Sequence, residues 1–87
     1  MKDQEQSKTR EEILKMTLEA RIQEVMGYQI NIDNYTLALS EISKKSQEDQ
    51  AELLEFSDQL RSLLTSENLE QKKAKIMLAV IQQQVSN

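Results

Sequence analysis

The sequence predicts an all-α fold: a long amphipathic, coiled-coil-like helix, a turn near 65–67, and a shorter apolar helix folding back. Three observations predict it. Apolar side chains recur on a three-and-four spacing from Leu14 through Leu18, Val25, Tyr28, Ile32, Tyr35, Leu39, Ile42, Leu53, Phe56, Leu60 and Leu63, the register losing its apolar residue after Leu18 only at Arg21, Ser46 and Asp49. Such spacing lines one seam of an under-wound helix, and the seam wants a partner helix. Proline is absent and glycine occurs once, and Glu, Gln, Lys, Leu, Ala and Met, which dominate, are good helix formers. Finally, nothing supplies the turns and β-branched strands of a sandwich or barrel.

In chain order, residues 1–8 are polar and are expected to form a disordered tail, leaving one helical interaction domain over 9–87. Thr9, Arg10, Glu11 and Glu12 read as a capping box, with Glu12 reaching back to Thr9. The periodic pattern starts at Ile13 and Leu14. Gly27 is a candidate helix end, and the following stretch to Tyr35 is rich in poor helix formers. The heptad phase nevertheless continues through Tyr28, Ile32 and Tyr35, which favours an unbroken helix. The stretch Ser43 to Gln50 contains nothing apolar. It is either a polar coiled-coil segment or a hairpin turn with Ser46 capping the next helix. Phase retention from Ile42 to Leu53 weighs toward the first.

At Leu64 to Asn68 the phase changes: continuing the register would place Glu67 and Glu70 on the seam. Ser66 is a suitable N-cap and Glu67 suits a first turn, so the break is expected at 65–67. A final helix then ends near Gln84. Its centre, Ile76 to Ile81, is apolar on all sides, which implies burial from more than one direction. On this plan helix 9–64 is ~80 Å long, the last helix covers about a third of it, and the remaining seam meets a second chain.

The chain has 87 residues and neither Cys nor His. Small domains offset a thin core with disulfides, a metal or oligomerisation; the first is closed and the common zinc and iron ligand sets are missing. No cofactor is expected. Ser and Thr have no His to act as base, and Ser43 and Ser46 flank Lys44 and Lys45 in a stretch too polar to shift a lysine pKa. The acidic run Glu48, Asp49, Glu52 and Glu55 lacks calcium-loop spacing and reads as a solvated helix face. A lone Gly27 makes no phosphate loop. These absences point away from an enzyme.

Net charge is −4, which disfavours non-specific binding to phosphate backbones. Lys72, Lys73 and Lys75 form a small basic patch, the one place a nucleic-acid binder could start, and the acidic residues of 48–58 are the basis of a weaker idea, a DNA mimic. The longest apolar run, Ile76 to Ile81, is far short of the ~20 residues that span a bilayer. The N-terminal MKDQEQSKTREE has no apolar core, so no secretory leader is expected, and absence of Cys fits a reducing, cytoplasmic location.

Interaction with protein is what remains. The expected interface is the seam above together with Arg21, which takes a seam position, and Ile76, Met77, Val80 and Ile81 of the tail. Arg21 either snorkels or pairs with a Glu of a partner chain. Tyr28 and Tyr35 read as core residues with solvent-reaching hydroxyls. Asn31 and Asn34 are exposed amides or cross-helix register pins. The partners expected are a second copy, as a dimer, and another protein, in the manner of an adaptor, chaperone or inhibitor. The rival class is a purely structural oligomeriser. Phage-type inhibitors of host machines are an analogy from size and composition alone.

Overall fold

The computed structural model describes residues 9–86; the predicted disordered tail lies outside them. Three helices follow one another: α1 over Arg10–Ser43, α2 over Gln47–Glu52 and α3 over Leu54–Ser86. Among the described residues there is no strand. α1 and α3 run antiparallel and pack along their length, and the molecule measures 70 × 24 × 16 Å. It is a helical hairpin.

α1 starts where the capping box predicts. The Thr9 hydroxyl accepts from the Glu12 amide at 3.1 Å, and the Glu12 carboxylate accepts from the Thr9 amide at 3.0 Å. Glu11 and Glu12 sit at the positive end of the helix dipole. The helix passes through Gly27 without a break, and φ there is not positive. Its poor helix formers are held by local bonds. The Thr17 and Thr36 hydroxyls donate back to the carbonyls of Ile13 and Ile32, and Gln29 donates to Asp33 one turn on.

The chain reverses at 44–46, not at 65–67, which corrects the predicted helix of 9–64. Lys44 closes α1, with its amide donating to Glu41, and the Lys45 amide donates to Ile42. Ser46 is extended and caps α2: its hydroxyl accepts from the Asp49 amide at 3.1 Å. Glu48 and Asp49 follow in the first turn of α2. Gln50 stitches the reversal, donating to the carbonyls of Lys45 at 2.8 Å and Ser43 at 3.3 Å. A polar run can afford to leave the seam because it has no apolar side chain to bury. A mild irregularity at Leu53 separates α2 from α3, bridged by Ser57 N–H to Leu53 C=O at 2.8 Å.

The segment 65–67 lies inside α3. Thr65 and Asn68, on either side of the expected cap Ser66, donate back to the carbonyls of Arg61 and Leu64. The apparent change of phase has a simple cause. The inward line runs from Leu53, just ahead of α3, through Ser57, Leu60, Leu64, Glu67, Gln71, Ala74, Leu78, Ile81 and Val85 of α3, all buried or half-buried. They keep the 3,4 rhythm without a slip. Phe56 and Leu63, counted above as seam, face outward. Following them, and not Ser57 and Leu64, makes the pattern seem to break where Glu67 arrives.

Candidate functional site

The seam of α1 is where the sequence places it. Leu14, Leu18, Arg21, Val25, Tyr28, Ile32, Tyr35, Leu39 and Ile42 are all half-buried, and what covers them is α3 of the same chain. Leu53 is half-buried, and Leu60 and Ile81 are buried. The other expected interface residues, Phe56, Leu63, Ile76, Met77 and Val80, are exposed. The tail is therefore not enclosed by the hairpin: Ile76 is 64% exposed although its neighbourhood is apolar all round.

Polar seam residues find partners within the chain. Asn31 donates to the Glu67 carboxylate at 2.5 Å. Gln71, buried, donates to Gln29 Oε1 at 3.0 Å and to the Val25 carbonyl at 3.3 Å. Arg21 pairs with Glu24 on its own helix at 2.9 Å, one turn along; a glutamate of a partner chain is not required. Asn34 is exposed. Periodicity alone missed Ser57, Leu64, Glu67, Gln71 and Ala74. The signal that could have found them is the unbroken spacing itself, masked by three polar members.

The seam is thin. Among the described residues only Leu60, Ala74 and Ile81 form buried apolar core, and none is fully buried. The ion pairs are all within a helix and solvent-exposed or half-exposed, and each such pair adds at most a few tenths of a kcal/mol.

Two outward apolar lines remain in solvent. On α1, Ile30 and Leu37 lie a heptad apart, 57% and 62% exposed. On α3, Phe56, Leu63 and Met77 lie on one heptad line, 47%, 45% and 42% exposed, with Val80 one turn beyond at 41%. Arg10 donates to Gln84 at 2.8 Å, so heptad steps from these two residues trace one broad side of the hairpin. Along α1 they give Thr17, Glu24, Asn31 and Ala38; along α3 they give Met77, Glu70, Leu63 and Phe56. Both carboxylates outside the seam on that side are already matched, Glu24 by Arg21 and Glu70 by Lys73 at 3.1 Å.

Charge divides between the two ends. Around the turn, Glu41, Glu48, Asp49, Glu52, Glu55 and Asp58 outweigh Lys44, Lys45 and Arg61, a net of −3 over 41–61. At the open end, Arg10, Lys15, Arg21, Lys72, Lys73 and Lys75 outweigh Glu11, Glu12, Glu19, Glu24 and Glu70, a net of +1.

A cleft of about 380 Å³ lies inside the turn, lined by Leu39, Ile42, Gln50, Leu54, Ser57 and Arg61 among others. Its charged lining residue, Arg61, is paired with Asp58 at 3.0 Å. Among the described residues no three carboxylates come together as a metal site, and Glu48, Asp49, Glu52 and Glu55 are all exposed. No helix among them is long and apolar enough to cross a membrane. Compared with protein-family models, curated proteins and solved structures, the chain matches none.

Proposed function

We propose that this chain is a non-catalytic protein-interaction module, a small helical hairpin that self-associates and, as an adaptor, chaperone or inhibitor, binds another protein. One observation carries the reading. The hairpin has a thin buried core and leaves Ile30 and Leu37 on α1 and Phe56, Leu63, Met77 and Val80 on α3 between 41% and 62% exposed. Monomeric proteins rarely leave large continuous apolar patches in water, and such patches mark interaction surfaces. Two helices that bury so little against each other gain their remaining stability from association.

The binding role separates from a purely structural one by Ile30 and Leu37, exposed on the side of α1 opposite its seam. One self-association face does not cover both that side and the α3 line. Absence of cysteine fits work in a reducing, cytoplasmic compartment.

Absolute mass by light scattering on a sizing column, across a hundredfold dilution, tests the reading. A dimer or higher assembly that persists on dilution supports it. A monomer at every concentration, with full helicity and a cooperative melt, overturns it.

A further inference from the structure

Resting on the self-association just proposed, we infer that the second copy seats on the broad side marked by Phe56, Leu63, Met77 and Val80 and lies antiparallel to the first, so that two hairpins complete a four-helix bundle. Three observations converge on this occupant and orientation.

The first is symmetry. A two-fold interface uses the same patch on both copies, so the patch must be complementary to its own reversal. The α3 line satisfies this. Reversed about residue 70, Leu63 falls on Met77; reversed about residue 68, Phe56 falls on Val80. Both pairs place the axis within one turn of helix. The centre brings Glu70 of both copies together, each offset by its own Lys73 at 3.1 Å.

The second is charge. An antiparallel pair lays the acidic turn end, net −3, beside the open end, net +1, of its partner. A parallel pair stacks two acidic ends on each other, and like-charge juxtaposition disfavours that arrangement.

The third is shape. On the same side α1 offers Thr17, Asn31 and Ala38, short and half-buried, so an approaching helix can settle against both helices of the hairpin. Packing of this kind, with helices close to antiparallel, is the geometry of four-helix bundles.

The full chain contains no cysteine, which makes a crosslinking test clean. Leu63→Cys and Met77→Cys proteins, checked for wild-type helicity, are mixed and oxidised, and the linked peptides are identified by mass. A disulfide forms only between Cα atoms within about 7 Å, so the mixed 63–77 link is expected to outnumber either self-link by about tenfold. Phe56→Cys mixed with Val80→Cys repeats the test at the outer pair, so that one poorly folded variant does not decide it. Self-links dominating at both pairs would overturn the orientation. No link at either pair, from a protein that light scattering shows to be a dimer, would overturn the choice of face and leave self-association standing. A monomeric wild-type chain would remove both.

Discussion

Asn31 of α1 donates to the carboxylate of Glu67 on α3 across a seam that is otherwise mainly apolar, at 2.5 Å. The two residues lie thirty-six positions apart in sequence, and their meeting fixes how far one helix slides along the other. An apolar seam is tolerant of a heptad slip; a seam with a buried or half-buried polar partner is not, because slippage leaves the polar group unpaired.

Asn31→Ala is expected to destabilise the hairpin by about 1 kcal/mol, since the half-buried carboxylate loses its donor. Asn31→Leu combined with Glu67→Leu is expected to be neutral or stabilising, because neither polar group is then left alone. Urea unfolding of Asn31→Leu, Glu67→Leu and the double variant forms a cycle that reads the coupling directly. Additive effects would mean that the pair does not form.

The cap of the second helical segment makes the turn. Ser46→Ala removes the acceptor for the Asp49 amide and is expected to cost about 1 kcal/mol. Ser66→Ala, in the middle of α3, removes no cap and is expected to change stability by less than about 0.5 kcal/mol. Thermal melts of the two variants distinguish a turn at 44–46 from one at 65–67: a larger loss from Ser66→Ala would contradict the hairpin.

Gly27 sits in mid-helix with open space around the position a Cβ would take, and with no positive φ. Gly27→Ala is therefore expected to stabilise by up to about 1 kcal/mol. A chemical denaturation midpoint that falls instead would show that another chain approaches the backbone closely there.

Much of the fold is legible in residue types. The Thr9 capping box, the α1 seam from Leu14 to Ile42 and helix continuity through Gly27 all follow from spacing and local chemistry. The site of the reversal does not. The spacing from Ile42 to Leu53 matches the α1 register by chance: the inward line then runs through Ser57, Leu60 and Leu64, with Ser57 and Leu64 one residue off that register, and the apolar Phe56 and Leu63 mask the shift. Glu67 and Gln71 hide the α3 seam because their partners, Asn31 and Gln29, are identifiable only once the chain has folded back. Phe56 and Leu63 share apolar character with Leu60 and Leu64, and side of the helix, not residue type, separates core from outer surface. The same ambiguity governs the candidate interface: the residues were visible as apolar, and only the fold shows which of them α3 leaves uncovered.

The measurement that bears most directly on the account compares one outward and one inward substitution, Leu63→Asp and Ile32→Asp, by circular dichroism and light scattering on the same samples. The account predicts that Leu63→Asp keeps its helix content while its mass drops toward monomer, and that Ile32→Asp loses helicity because it places a charge in the seam between α1 and α3. A Leu63→Asp protein that associates as wild type does, or an Ile32→Asp protein that stays fully helical as a monomer, would contradict it.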